Sequence, residues 1–364
     1  MMYLTRTSVL CTEETEVLTN IGYPQKVHWF PWSYKNIKTG LFLPAHKLAE
    51  QVLDKETIEY VKKTECKTAF ILAAGNSNFA AEGRKLVAEN ELSYQYKFLP
   101  LSLTQVYAGR IASMFGKVDY IATDASACAS SLKALMDVQS LMTLYKYDRV
   151  IVLGVEDQIN NLTLQFFGES GASLTEKIAQ ETGSVPSAFD SKNFGFHLGQ
   201  GAVLAVFESE RVAVDPIARL VSANSASELS TNAIGQREDG QGFIDAIQGC
   251  MDIAGITADS IKVVKTHGTG TKSNNRAEKI ALTSTLTDFI ATSYKPSIGH
   301  TMGASGLLES VMLLESKVVP AIPNRTEEDS VFLSKEETKP EGMILSLAAG
   351  MGNIYSAAIF EQGL

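Results

Sequence analysis

Short apolar, β-branched runs recur along the chain at Thr68–Ala73, Asp119–Thr123, Arg149–Leu153, Gly201–Phe207, Ile217–Val221, Ile261–Thr266, Met343–Leu347 and Ile354–Phe360. Each predicts a strand. Helical periodicity marks Ser130–Tyr145, Gly240–Ile256, Asn275–Leu286 and Ser305–Lys317 between them. The alternation predicts α/β layering. The first half ends near Glu208–Arg211 and a second begins at the strand Ile217–Val221, so the expected division is 1–211 and 212–364. In each half a strand runs into a small-residue turn and then a helix, carrying Cys128 in the first half and His267 in the second. Such strand ends are where α/β sheets place chemistry. No low-complexity tract, linker or short repeat separates the halves. The first sixty or so residues resist assignment, and Gly22–Asn36 (GYPQKVHWFPWSYKN) is aromatic and loop-like.

The composition, 364 residues with 45% hydrophobic and 20% charged, is that of a compact soluble protein with a sizeable core. The longest apolar runs fall far short of the ~20 residues that cross a bilayer. The N-terminus, MMYLTRTSVLCTEETE, has no signal-peptide pattern, so the expected compartment is the cytoplasm. A net charge of −9 excludes an overall electrostatic footprint for nucleic acid. Lys62 with Lys63, or Arg84 with Lys85, are the local basic pairs an acidic partner could use, and scattered solvated lysines have the same pattern. Four cysteines without a CxxC pair give neither a zinc site nor a disulfide framework.

Cys128 lies in Asp124–Leu132, DASACASSL, between a strand and a helix. A helix start favours thiolate, lowering the pKa from ~8.5, and its free N–H groups can hold an oxyanion. The small neighbours allow close approach of a substrate. Read alone, an inert cysteine in a tight turn would look the same. Two of the five histidines stand in glycine-rich turns: His267 opens HGTGT after IKVVKT, and His300 lies between KPSIG and TMGASG. Thr269 and Thr271 offer hydroxyl contacts beside the first. Neither histidine has a second ligand at i+3 or i+4, which argues against a metal. Two imidazoles beside a nucleophilic cysteine suit enolate stabilisation during decarboxylation of a malonyl thioester.

These residues fall in five motifs in order: DASACASSL, PSAFDSKNFGFHLGQGAVLAVFE, THGTGTKSNNRAE, KPSIGHTMGASGLLE and LAAGMGN. Over about Asp119–Phe360 the chain resembles the β-ketoacyl synthases, which elongate acyl chains on acyl carrier protein in fatty acid and polyketide assembly. The resemblance implies an α/β thiolase-like fold of two pseudo-symmetric halves layered α-β-α-β-α. It makes Cys128 the acyl-accepting nucleophile and gives His267 and His300 the decarboxylation. Lys295 and Glu309 would pair and hold His300. The backbone N–H groups of Cys128 and Met351 would form the oxyanion hole, Met351 standing at the gate. Thr269 and Thr271 would line the phosphopantetheine tunnel. No cofactor is implied beyond the phosphopantetheine of the carrier protein. The implied partners are acyl carrier protein and a second synthase-like subunit, in a homodimer or heterodimer.

Thiolases need a second cysteine near the C-terminus, and none follows Cys250; starter-unit synthases carry asparagine where His300 stands. The chain also departs from the elongating family. Its usual GFGGTN turn reads GMGNIY, with Met351 replacing a gating phenylalanine and Asn353 and Tyr355 replacing glycine and asparagine. Asn275 stands for a common aspartate and Gln200 for a common glutamate, and the region before Cys128 is short. These changes point to a specialised polyketide or polyene system. The expected reaction is a decarboxylative Claisen condensation on Cys128. The alternatives are a non-elongating chain-length-factor-like subunit, and an acyltransferase or thioester hydrolase using the same cysteine.

Overall fold

The computed structural model describes residues 1–11, 14–18, 24–28, 49, 51–75, 103–156, 161–228 and 235–363. Its main sheet contains β1 (Met2–Cys11), β2 (Thr68–Ala73), β3 (Tyr120–Asp124), β4 (Arg149–Glu156), β5 (Gly201–Ser209), β6 (Ala218–Ser227), β7 (Ile261–Lys265), β8 (Ile290–Thr292), β9 (Met343–Gly350) and β10 (Ile354–Glu361). Their order is β8-β7-β9-β10-β6-β1-β5-β4-β2-β3. Each half repeats one pattern outward from the middle. β1 is antiparallel to β5 and β5 to β4, while β4, β2 and β3 run parallel. Likewise β6 is antiparallel to β10 and β10 to β9, while β9, β7 and β8 run parallel. The halves meet where Met2, Tyr3 and Leu4 pair with Leu220, Arg219 and Ala218.

Four helices position the chemistry: α1 (Ser130–Thr143), α2 (Gln241–Ala254), α3 (Lys272–Thr285) and α4 (Ser305–Glu315). Helices α1 and α4 pack on each other and on strands of both halves. Leu132, Leu135, Leu307 and Val311 join one core with Ile71 and Val152 of the first half and Val263 and Ile344 of the second. On the outer faces, α2 and α3 cover Val264 and Leu345, and the helices Lys55–Lys63 and Thr104–Ala112 cover Phe70 and Leu72. The layering is therefore α-β-α-β-α. Successive strand side chains point to opposite faces, so Ile71 faces the middle layer and Phe70 the outer one. Burial on both faces is why these strands read as continuous apolar runs rather than as alternation.

The sequence pattern does not predict β1, because Thr5, Arg6, Thr7 and Ser8 break its apolar run. Two of these groups find partners far off in sequence. Thr5 Oγ1 donates to Glu208 at 2.8 Å and the Arg6 guanidinium lies 4.4 Å over the Tyr60 ring. Beside them, Arg149 and Glu208 form a fully buried ion pair at 2.7 Å that ties β4 to β5. Of the aromatic segment Gly22–Asn36, only 24–28 is described, as a short strand; the rest, like Arg84 and Lys85, lies outside the described residues. Lys62 and Lys63 are exposed at the end of the helix Lys55–Lys63, with Lys63 paired to Glu59.

Candidate active site

Both central helices begin with the same device. A single 3₁₀ turn, Ala127–Ala129, precedes α1, and another, Met302–Ala304, precedes α4. Each turn opens on a non-glycine residue at positive φ, 47° at Ala127 and 48° at Met302, a conformation that costs about 1 kcal/mol. In the first turn Asp124 compensates: its carboxylate accepts the Ser126 N–H at 2.9 Å and pairs with Lys133 at 2.7 Å. Small residues let the helices start side by side. Ser131 Oγ donates to the Ala304 carbonyl and accepts the Leu307 N–H, each at 3.0 Å.

Cys128 occupies the middle of the first turn and Gly303 that of the second. Between them lies the buried carboxylate of Glu156, whose Oε2 accepts the N–H of Gly75 at 2.7 Å and of Gly303 at 3.2 Å. A side chain at Gly303 would meet the Gly75 nitrogen at 2.1 Å. The turn after β9 approaches as closely, for a Cβ at Gly350 would lie 2.5 Å from the Ser126 carbonyl oxygen. This contact brings Met351 into the cluster around Cys128, with Phe167, Phe196 and Met302.

The turn after β7 delivers His267. Its shape depends on Glu278 of α3, which accepts the N–H of His267, that of Gly268 at 2.9 Å and the Asn274 side-chain amide at 2.9 Å. Gly268, at φ +54°, turns the chain where a Cβ would strike Ser293 Oγ. His300 is held from the other side by the segment Phe196–Gly199. The His300 N–H donates to the His197 carbonyl at 2.8 Å, and the Gly199 N–H donates to the His300 carbonyl at 2.9 Å. Phe196 packs edge-on to the His300 ring at 5.1 Å.

The two imidazoles stand 5.7 Å apart, nearly perpendicular. With Cys128, Thr269, Thr271 and Met351 they line one cavity of about 660 Å³, part of it open to solvent. Burial, and then Lys295, hold both imidazoles well below the usual range, so both are neutral; Lys265 acts in the same direction on each. His300 Nδ1 accepts the Met302 N–H at 3.3 Å, which places the proton on Nε2 and makes that nitrogen a donor. Burial pushes the Cys128 thiol up to about 12, opposed by Lys295 and reinforced by Glu156. The helix start therefore does not yield a resting thiolate, contrary to the expectation from sequence, because desolvation of the buried thiol outweighs the dipole.

Lys295 and Glu309 do not line the cavity. They form an ion pair at 2.9 Å behind His300, both buried. A second lysine, Lys265 at the end of β7, reaches the same carboxylate at 3.4 Å. Sequence patterns did not single out Lys265, Glu278 or Glu156. The available signal was a charged residue closing a mostly apolar strand, as at Lys265 in IKVVK and Glu156 in RVIVLGVE. Asn275, Gln200, Asn353 and Tyr355 are at least half-buried, and Asn353 and Tyr355 line the cavity. Among the described residues no three His, Cys, Asp or Glu side chains cluster as a metal would require, and no helix is long and apolar enough to cross a membrane.

Residues 45–213 match the family model "Beta-ketoacyl synthase, N-terminal domain" and residues 217–326 match "Beta-ketoacyl synthase, C-terminal domain". The chain is 27% identical over 280 residues, 73% of its length and 64% of the relative's, to the tetracenomycin polyketide synthase ketoacyl synthase alpha subunit of Streptomyces glaucescens. It spans about two thirds of the length of the first curated relatives it matches. Two solved assemblies contain chains of the same fold. One is a type II polyketide synthase acyl carrier protein in complex with its ketosynthase (TM-score 0.78, 18% identity, 100% of this chain and 99% of that one). The other is a ketosynthase with its chain length factor from Xenorhabdus doucetiae (TM-score 0.80, 17% identity, 100% and 98%).

Proposed function

The chain belongs to the β-ketoacyl synthase family, and from that premise we propose that it condenses an acyl group with malonyl-acyl carrier protein, releasing carbon dioxide. The acyl group moves from the carrier's phosphopantetheine thiol to Cys128: the S–C bond to Cys128 forms, the carrier thiol leaves, and the Cys128 proton passes to it through a neighbouring imidazole. In the malonyl thioester the bond to the carboxylate breaks, and its electron pair passes into an enolate. The enolate carbon attacks the Cys128 thioester, the Cys128 sulfur leaves, and the thiolate takes up a proton supplied from solvent.

The observation that carries this function is the pair of imidazoles lining the Cys128 pocket, with His300 Nδ1 accepting the Met302 N–H so that Nε2 is left to donate. Neutral donors stabilise a developing enolate oxygen without first binding a proton. The N–H groups of Cys128 and Met351 would polarise the thioester, and Thr269 and Thr271 would hold the phosphopantetheine arm. The edge strand β3 offers its exposed Tyr120 side to a second subunit of the same fold.

Met351, packed against Cys128 in place of the family's usual phenylalanine, favours one alternative, a chain-length-factor-like subunit that accompanies an active synthase. Intact mass of the chain after incubation with acyl-carrier protein, followed by carbon dioxide release from malonyl-carrier protein, separates the two. Acylation of the protein that disappears in Cys128→Ala, with carbon dioxide release, supports the synthase. Label confined to a co-expressed partner supports the accessory subunit.

A further inference from the structure

A buried carboxylate outside the cavity links the two turns that carry the histidines. Asp190 lies in the segment 184–199, which leads into β5, and its side chain is buried. Its Oδ1 accepts the N–H of Lys192 at 2.9 Å and of Asn193 at 2.7 Å. Its Oδ2 accepts the Thr326 N–H at 2.5 Å, the Thr326 hydroxyl at 2.9 Å and the Glu327 N–H at 3.1 Å, all from the stretch beyond α4. That stretch holds the segment in return: the Ser191 N–H donates to the Glu327 carboxylate at 3.0 Å, and Arg325 donates to the Phe189 carbonyl at 3.1 Å. Burial pushes the Asp190 carboxyl up, but the donors of Asn193, Thr326 and Lys192 outweigh it and hold the group down at about 2. Beyond this anchor the segment touches both histidine turns. The Gly195 N–H donates to the carbonyl of Gly270, in the turn of His267, at 3.0 Å. The His197 carbonyl accepts the His300 N–H, the Gly199 N–H donates to the His300 carbonyl, and Phe196 lies edge-on to the His300 ring.

We propose that Asp190 is a positioning residue: by pinning residues 190–199 to 325–327, it fixes where that segment holds the imidazoles of His267 and His300. Donors from two parts of the chain converge on its two oxygens. An asparagine there has a single oxygen, so its amide group would face backbone N–H groups on one side whichever way it turned. The charge that strengthens these hydrogen bonds would go as well. The segment then loses one side of its anchor, and the imidazoles, 5.7 Å apart, lose the support they share. Cys128 does not depend on that support, because Asp124, paired with Lys133, and the close approaches of Gly75 and Gly350 hold its turn. The consequence for catalysis rests on the proposed condensation, whereas the placement of the imidazoles does not.

The test compares two half-reactions in Asp190→Asn. Carbon dioxide release from malonyl-carrier protein falls by about 10- to 100-fold, while acylation of Cys128 by acyl-carrier protein, read by intact mass, falls by less than about threefold. In histidine-selectively ¹³C-labelled protein, with His267 and His300 assigned through His267→Gln and His300→Gln, the NMR signals of both imidazoles move in the Asp190→Asn variant. Thr326→Val removes only the hydroxyl donor, gives smaller changes in the same direction, and stands in if the asparagine variant does not fold. Half-reactions that fall in step, or imidazole signals that stay in place in the folded variant, overturn the inference. Imidazole signals that move, in a protein whose wild type releases no carbon dioxide, would uphold the positioning and instead indict the proposed function.

Discussion

Replacing Glu309 by glutamine tests how far the buried charges depend on one carboxylate. Glu309 is fully buried, meets Lys295 at 2.9 Å and Lys265 at 3.4 Å, and accepts the Ser305 hydroxyl at 2.5 Å. Glutamine keeps its shape and removes its charge, taking from both buried lysines the carboxylate they share and leaving only the interaction with Glu278. Breaking a buried ion pair from one side costs about 3–5 kcal/mol. The cost is capped here because Lys265, already near 8, can shed its proton. Loss of the carboxylate lowers that value further, and each unit of additional shift is worth about 1.4 kcal/mol. In the variant the native state then releases the Lys265 proton at lower pH than wild type does. The unfolded chain binds more protons over that wider window, so variant stability climbs with pH earlier. The expected deficit is about 3 kcal/mol at pH 7, narrowing as pH rises to 8 and constant beyond it. Urea denaturation followed by far-ultraviolet circular dichroism at pH 7 and pH 9 measures both. A deficit below about 1 kcal/mol at pH 7, or one unchanged at pH 9, would refute the account of a shared counterion.

Removing either imidazole, by His267→Ala or His300→Ala, lowers carbon dioxide release from malonyl-carrier protein by about 10²–10³-fold, while acyl transfer to Cys128 falls less; radiolabelled malonyl substrate separates the two steps. Because both imidazoles are held neutral by burial, the unfolded chain takes up protons below about pH 6.5 that the native state refuses. Stability should therefore fall as pH drops from 6.5 to 5, and the double variant His267→Gln/His300→Gln should flatten that fall in urea titrations. With its thiol near 12, Cys128 should be alkylated by iodoacetamide at a rate rising about tenfold per pH unit from 7 to 9 without a plateau; a plateau near pH 8 would show a thiolate already formed. Glu208→Ala strands Arg149 in the core far from the cavity and should cost about 3–5 kcal/mol, detectable by denaturation.

The α/β layering was legible because strands buried on both faces and helices with one apolar stripe leave strong patterns. Eight of the main-sheet strands coincide with apolar runs. β1 has no such run because polar side chains interrupt it, and the partners that receive them, Glu208 for Thr5 and Glu315 for Thr7, lie far off in sequence. β8 has only three residues, too few to show a period. In the site, Cys128, His267 and His300 were legible because chemistry confines them to small-residue turns. Lys265 and Glu278 were not, since their importance lies in what they face across the fold. The protonation of Cys128 departs from expectation for a related reason: a helix start is visible in a sequence, whereas the burial of the thiol is not.

The paired 3₁₀ turns carry a broader lesson about duplicated architecture. Two copies of one strand-turn-helix unit converge on a common centre, and only one is armed. At the second copy, position 303 has no room for any side chain, because the backbone of Gly75 and the carboxylate of Glu156 fill the space a Cβ would need. A cysteine transplanted there would not create a second reactive centre but would wedge the two copies apart. The division of labour between the halves is thus enforced by volume: one copy brings the thiol, and the other has become the mould in which it is set.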